Sequence, residues 1–357
     1  MVSALRILLT GGGSGGPTTP LLALAHTLRQ RPALHPEFLF LGTPQGPERD
    51  LVKKAGIEFH SIPSGKLRRY WDVRNFTDPF RVLFGGLIGW QELRKFRPHV
   101  VVSAGSFVSV PVAYAARTLG VPQVLLQMDW RPGLANRLMA PVSQVLASHF
   151  PETGSALKLA DWRQIGPVVR SEILNGDAER ANAQFGLDPQ RPVLLITGGG
   201  QGAQGLNQVV SELCELWLSE FQVVHLTGRG HPPCGNWPEY HAHGFVAAEG
   251  MGNLLARADL VISRAGMGII GELAVLCKDT VLVPLPGTHQ EENAAALERS
   301  GAVEVVSQVN LDAQWWSGFR KRWNSGTLGK RLSHVFPEAG NEAFAELVLE
   351  SVQKRMA

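Results

Sequence analysis

The chain has little of several things, and each shortage closes off a class of protein. Its three cysteines, Cys214, Cys234 and Cys277, are widely separated and form no CxxC pair. That excludes a disulfide framework or zinc scaffold legible from spacing and predicts a reduced, cytoplasmic setting. The net charge is only +3 at pH 7, and no Lys/Arg block of the kind that tracks a phosphate backbone is present. Nucleic acid is therefore not an expected partner. Apolar runs are short, and none reaches the roughly 18 residues of a membrane span. From Met1 the chain runs into an apolar strand and a glycine loop rather than a signal-peptide layout. Membrane contact is expected to be peripheral.

What is present is a pattern of strands, glycine turns and helices. At 357 residues the chain exceeds what one core usually sustains, so two domains are expected. The 44% apolar and 18% charged residues suffice for two cores and are too weakly charged for disorder. Short apolar runs at Leu5 to Leu9, Phe38 to Leu41, Ile57 to Ile62, Val100 to Ala104 and Val124 to Leu126 alternate with several helical patterns. A second series follows at Val193 to Thr197, Val223 to Leu226, Leu260 to Ser263, Val281 to Leu285 and Val303 to Val306. Such continuous apolar strands belong to parallel sheets covered on both faces, an α/β class. The stretch from Pro151 to Pro167 has little apolar periodicity, so the boundaries read as 1–165, 166–340 and a final helix over 341–357. That helix opens at Asn341 and presents Phe344, Leu347, Val348 and Val352 on the face that packs back on a domain.

Each half opens with a strand, a glycine-rich loop and a helix. Glycine lets a ligand approach the backbone, and the first turn of the helix offers unpaired N–H groups carrying partial positive charge. The first loop, Gly11 to Gly16, does not continue into GK[ST] and is not a P-loop. Nor does an acidic residue stand at the end of the second strand, where a dinucleotide fold would carry one; Gly42-Thr43 is there instead. In the second half, Gly198 to Ala203 repeats the arrangement. Ser263-Arg264-Ala265-Gly266 ends a later strand, a helix carrying Glu272 follows, and Val283-Pro284-Leu285-Pro286 leads into a loop that ends at His289-Gln290. A carboxylate can take two hydrogen bonds from a ribose diol, and His289 and Gln290 can meet sugar hydroxyls. Taken singly, Glu272 reads equally as a solvated helix acid and His289 as a polar loop residue; their order after successive strands favours a site.

These pieces resemble the MurG family of N-acetylglucosamine transferases along nearly the whole chain. The matching stretches are GGSGG at Gly12 to Gly16, GSFVSVP at Gly105 to Pro111, GLANR at Gly133 to Arg137, GGGQGAQGLNQ at Gly198 to Gln208, SRAG at Ser263 to Gly266 and HQEENA at His289 to Ala294. The resemblance implies GT-B architecture, two Rossmann-like domains facing across a cleft, and an inverting, metal-independent transfer that needs no cofactor, since UDP-N-acetylglucosamine is a substrate. It implies that Gly199, Gly200, Gln201, Gly202 and Ala203 meet the donor diphosphate with Arg170 nearby, and that backbone near Val246 reads uracil. Glu272 would hold the ribose, and His289 and Gln290 the donor sugar. On the acceptor side it implies Ser14, Gly15, Gly16, Thr18 and Phe107, with the first glycine loop facing a diphosphate.

The chain departs from the family at Pro17, where a histidine proposed as general base is usual, at Leu126-Gln127-Met128-Asp129, where HEQN is usual, and at Gly200, where a serine is usual. Asp129 is the candidate base that remains, with a turn or helix-capping residue as its alternative reading. Between residues 67 and 90, Tyr70, Trp71, Phe76, Phe80, Phe84 and Trp90 lie among Arg68, Arg69, Arg74 and Arg81. This reads as a surface for an anionic membrane, or as the core face of a helix. The expected function is transfer of N-acetylglucosamine to a polyprenyl-diphosphate muramyl-peptide acceptor, by a peripheral enzyme on the inner face of the cell membrane. A paralogue with another acceptor and a weakly active UDP-sugar-binding scaffold subunit remain the alternatives.

Overall fold

A computed structural model describes residues 4–13, 15–63, 74–200, 202–336 and 338–356, with 74–83 and 356 as backbone only. Ser14, Gln201 and the 67–73 part of the aromatic and arginine stretch lie outside the described residues, as do the side chains of Arg74, Phe76, Phe80 and Arg81. The chain forms two compact units, Met1–Val168 with Ala339–Ala357, and Val169–Glu338.

Among the described residues the first unit holds seven strands: β1 Leu5–Thr10, β2 Pro36–Gly42, β3 Glu58–Ser61, β4 Val100–Ser103, β5 Gln123–Gln127, β6 Val145–Ser148 and β7 Trp162–Gln164. They form one sheet in the order β3-β2-β1-β4-β5-β6-β7, every neighbouring pair parallel. Period-two side-chain alternation splits each apolar run between two cores. Ile7, Leu9, Phe40 and Val102 pack on one face with Leu21, Leu24 and Leu28 of helix Thr19–Arg29. Leu8, Leu39, Leu41 and Val101 pack on the other with Val112 and Ala116 of helix Ser109–Thr118. Both faces are buried, which is why these strands read as unbroken apolar runs rather than alternating ones.

The second unit repeats the plan with β8 Val193–Thr197, β9 Gln222–Leu226, β10 Tyr240–His243, β11 Leu260–Ser263, β12 Thr280–Leu282 and β13 Glu304–Val305. The order is β10-β9-β8-β11-β12-β13, again wholly parallel. Helix Gln204–Leu218 lays Leu206, Val209, Val210, Leu213 and Trp217 on this sheet, at the three- and four-residue spacing of one helical face. Trp217 meets Trp316 edge to face with ring centroids 5.6 Å apart.

Strands β6, β7 and β10 were not legible as strands. β6 is four residues long, β7 is a three-residue edge strand, and β10 is a Tyr-His-Ala-His edge, half-buried along its length. Edge strands need no continuous apolar run, so periodicity does not report them. The first unit also extends to Val168 rather than ending near 165, because Ile165 is buried in its core and Val168 packs against that core. Helix Asn341–Met356 returns to this unit: Phe344, Leu347, Val348 and Val352 are buried beside helix Thr19–Arg29. The Gly340 N–H donates to the Pro167 carbonyl at 2.7 Å, and Arg31 pairs with Glu342 at 2.5 Å and Glu346 at 2.7 Å.

The Phe344 ring is wholly buried in that core. Phe344→Ala is expected to destabilise the first unit by about 3–5 kcal/mol, read by denaturant unfolding. A loss under about 1 kcal/mol would mean that the C-terminal helix is dispensable to the core.

Candidate functional site

Parallel strands send all their carboxyl ends to one edge of a sheet, and ligands of such sheets bind there, where the strand order reverses. The reversal falls between β1 and β4 in the first unit and between β8 and β11 in the second. Both glycine loops leave from these positions.

In the second unit the chain turns from β8 through Gly198, Gly199 and Gly200 to Ala203, the residue that caps helix Gln204–Leu218. Gly202 takes φ +78, and its N–H closes the turn on the Gly199 carbonyl at 2.9 Å. A side chain at Gly202 would strike the Thr227 carbonyl oxygen, 2.3 Å from the Cβ position. Glycine is therefore required there by space as well as by dihedral angle. The helix carries no acid in its first turn, and Ala203 has no side chain able to cap it. Helix Met267–Val275, after β11, likewise starts from Gly266 with no acid in its first turn. Two adjacent helix N-termini thus keep the partial positive charge that favours a phosphate.

The third strand-end helix, His289–Arg299, differs. Thr288 caps it by accepting from the Gln290 N–H, and Glu291 and Glu292 stand in its first turn. This end suits a neutral, hydroxyl-rich group rather than an anion. Gln290 also holds two loops together: its Oε1 accepts from the N–H of Ala265 at 3.2 Å and of Leu285 at 3.0 Å, which leaves the amide Nε2 as the end that can donate to a ligand. Asn293, fully buried, donates to the Ala265 carbonyl at 3.3 Å, so the peptide groups on both sides of Ala265 are held.

Glu272 is buried on helix Met267–Val275, and its Oε1 accepts from Arg170 Nε at 3.1 Å and Nη2 at 2.7 Å. Arg170 precedes the short helix Ser171–Leu174, so the pair ties the start of the second unit to the helix after β11. Burial pushes the Glu272 carboxyl above its ordinary value, against the opposing pull of Arg170. Arg264 was present in a recognised motif without an assigned role. It is buried, donating from Nη1 to the Val283 carbonyl at 3.1 Å and from Nη2 to Gln308 Oε1 at 2.7 Å. Those acceptors are neutral, so its charge adds to the positive edge. Val246 lies in the turn after β10; beside it Phe245 is half exposed, with the Arg229 guanidinium 3.8 Å from its ring centroid. A Cβ on Gly200 would lie 3.7 Å from the Phe245 ring, which places this turn next to the glycine loop.

In the first unit, Gly15, Gly16 and Thr18 follow β1, Phe107 follows β4 and Asp129 follows β5, three neighbouring strands. Thr10 Oγ1 donates to Ser109 Oγ at 3.3 Å, linking the first two of these loops. Gln127 donates to the Asp129 carbonyl at 2.7 Å and accepts from Asn136 Nδ2 at 2.5 Å, so the amide that replaces a family glutamate is occupied in holding the Asp129 loop. The acid missing from the end of β2 is supplied from further along the chain. Glu48, fully buried on helix Glu48–Lys54, reaches back to accept from the Gly13 N–H at 3.1 Å, the Thr43 N–H at 2.8 Å and the Thr43 hydroxyl. Sequence position alone did not mark it, because five residues separate it from the strand end.

Comparison with known proteins agrees with this plan. The glycosyltransferase family 28 N-terminal domain matches residues 7–147, and the family 28 C-terminal domain matches residues 193–315. The chain is 38% identical over 337 residues to a UDP-N-acetylglucosamine–N-acetylmuramyl-(pentapeptide) pyrophosphoryl-undecaprenol N-acetylglucosamine transferase of Lachnoclostridium phytofermentans, covering 93% of this chain and 90% of the relative. A protein of the same name from Clostridium perfringens is 38% identical over 315 residues, 87% of each chain. Among solved structures, Acinetobacter baumannii MurG aligns with a TM-score of 0.74 at 22% identity, covering 97% of this chain and 99% of that one. A Neisseria meningitidis UDP-GlcNAc 2-epimerase bound to UDP-GlcNAc aligns at 0.68 and 14% identity, covering 98% and 100%. At these identities the structures speak for the fold, two parallel-sheet halves of the GT-B class.

The Arg170–Glu272 pair makes a pH-dependent prediction. A buried carboxyl held above its ordinary value favours the protonated form in the fold, so its charge costs stability as pH rises from the ordinary carboxylate range through the folded value. Arg170 offsets that cost. Arg170→Ala is therefore expected to lower the thermal midpoint of the second unit more at about pH 8 than at about pH 5. Equal losses at the two pH values would show that Arg170 does not compensate the Glu272 charge.

Proposed function

The chain belongs to glycosyltransferase family 28, among its MurG members, and on that premise we propose that it transfers N-acetylglucosamine from UDP-N-acetylglucosamine to a polyprenyl-diphosphate muramyl-peptide in peptidoglycan synthesis. The observation that carries the donor half is the contrast among three strand-end helices. Two uncapped N-termini stand beside an acid-bearing, capped one, which matches a ligand with a diphosphate at one end and a sugar at the other.

On this reading the diphosphate lies over Gly199 to Ala203, with Arg170 released from Glu272 to meet it. Glu272 then accepts from the ribose hydroxyls. Backbone at Val246 reads the uracil, and His289 and the Gln290 amide meet the sugar. The acceptor hydroxyl attacks the anomeric carbon as the bond to UDP breaks on the opposite face, with inversion. The hydroxyl proton passes to Asp129, and the negative charge that develops on UDP is stabilised by helix N–H groups and Arg170, without a metal ion or cofactor. Fixed dipoles of this kind need no reorganisation as the charge forms.

Access to a lipid-linked acceptor is through the membrane surface, from the cytoplasmic side. On helix Arg74–Phe96, Phe84 and Leu87 are 60% and 61% exposed, far more than a core-facing position allows. Burying each in a lipid interface contributes about 1.5–3 kcal/mol, enough for reversible docking when basic residues assist. No helix among the described residues is long and apolar enough to cross a membrane.

The deciding experiment is a transfer assay over a panel of UDP-sugars with polyprenyl-diphosphate muramyl-peptide as acceptor. UDP binding without transfer from any donor would overturn the reading, and transfer only to a soluble acceptor would move it to a paralogous reaction. Within that assay, Asp129→Asn is expected to lower turnover by roughly 10² or more with the UDP dissociation constant unchanged. Unchanged turnover would remove Asp129 from the mechanism.

A further inference from the structure

Arg264 is a buried cation without a counter-ion. Only 7% of the residue is exposed, and among the described residues no carboxylate pairs with its guanidinium. Its Nη1 donates to the Val283 and Pro284 carbonyls at 3.1 and 3.4 Å, its Nη2 donates to Gln308 Oε1 at 2.7 Å, and its Nε has no hydrogen-bond partner. These oxygens are neutral and solvate the charge without cancelling it. Burial lowers the Arg264 pKa, yet a guanidinium keeps its proton in a protein. Buried charges are ordinarily matched by an opposite charge, because leaving water is costly.

We propose that Arg264 is a positioning residue for the donor: the diphosphate supplies its missing counter-charge across the first turns of two helices, and the neutral amide of Gln308 leaves the cation unpaired for it.

Four neighbouring strand ends converge on this guanidinium. Arg264 directly follows β11, and its N–H donates to the Thr197 carbonyl at 3.3 Å, where the glycine loop leaves β8. Its side chain reaches the carbonyls that follow β12 and the Gln308 amide that follows β13. Gln308 in turn packs on the first turn of helix Gln204–Leu218. A Cβ at Gly205 would lie 2.2 Å from Gln308 Nε2 and 2.4 Å from its Oε1, so glycine alone leaves room for the amide. Two residues beyond Arg264, Gly266 starts helix Met267–Val275. The cation therefore lies between the starts of two helices that carry no acid in their first turns. A charge fixed there is weakly screened by salt, adds to both helix dipoles and needs no reorganisation when an anion arrives.

The side chain at 308 decides whether that charge is available. A carboxylate in place of the amide would pair with Arg264 and stand beside a helix N-terminus, taking both sources of positive charge that a diphosphate would use. The amide has nearly the same shape, accepts the same hydrogen bond and carries no charge.

This inference rests on the reading that places the donor diphosphate over Gly199 to Ala203, and one set of measurements separates the two. Dissociation constants for UDP and for uridine are measured on the intact protein, for wild type, Gln308→Glu and Gln308→Met. Gln308→Glu supplies the counter-charge from within, and is expected to weaken UDP binding by about fivefold or more while uridine stays within about twofold. Gln308→Met removes the hydrogen bond and keeps the cation unpaired, so its UDP affinity is expected to stay near that of wild type. A smaller loss of UDP affinity in Gln308→Glu overturns the proposal. So does a loss shared equally by uridine, or one matched in Gln308→Met, since either makes residue 308 a matter of shape rather than charge. Should Gln308→Glu fail to fold by circular dichroism, Arg264→Lys and Arg264→Gln replace it. The variant that keeps the charge is then expected to bind UDP at least about fivefold more tightly than the neutral one, and equal affinities overturn the proposal. Wild type binding UDP no more tightly than uridine would instead overturn the donor-site reading, and the proposal with it.

Discussion

Every pair of adjacent strands in both sheets is parallel, and that single constraint places the chemistry. Parallel pairing sends each connection back across a face of the sheet, so all strand-to-helix turns of a unit gather on one edge. Burial on both faces follows, since each crossover helix needs a sheet face to cover. The loops after β1, β4 and β5, and those after β8, β11 and β12, are neighbours for this reason and no other. No residue has to be recruited from a distant part of its unit.

Within the second unit, polar side chains convert that neighbourhood into a site of fixed shape. Gln290 and Asn293 hold the two peptide groups that flank Ala265 from one helix, Arg264 spans from the end of β11 to the strand end of β12 and to Gln308, and Arg170 closes on Glu272. Buried groups of this kind are costly unless fully paired, and here most of the pairing is with backbone atoms of the ligand-facing loops. The loops are thus held in place by contacts made within the protein. Arg170 and Glu272 neutralise each other; on the proposed reading a diphosphate and a ribose take over as their partners.

Much of this was legible before the structure, and the parts that were not have a common physical origin. Apolar runs reported the central strands because both faces of those strands are buried, and the glycine loops were visible because positive φ and close approach need glycine. The edge strands β7 and β10 were invisible because an edge can be polar. Asn293 escaped assignment because its partner is a backbone carbonyl, which leaves no trace in residue identity, and Arg264 and Gln308 because their pairing spans strands far apart in the chain. Glu48 escaped for a related reason: an acid that faces a ribose stands at the strand end, whereas this one lies further along the chain, faces inward and accepts from the loop's Gly13 N–H.

That inward acid also changes how the departures at Pro17 and Gln127 read together. The turn where the family has a histidine carries Pro17, its Thr18 and Thr19 N–H groups donate to the Gly15 carbonyl, and Glu48 accepts from the Gly13 N–H. On the proposed mechanism proton acceptance falls to a neighbouring strand end, at Asp129. β5 is the second strand over from β1, and Gln127, too occupied with Asn136 and the Asp129 carbonyl to act itself, holds the backbone that carries Asp129. An amide is well suited to that task, having a donor and an acceptor to spend where a glutamate would have acceptors alone. On the proposed mechanism, the substitution that removes one acid leaves Asp129, on the backbone that Gln127 holds, as the base.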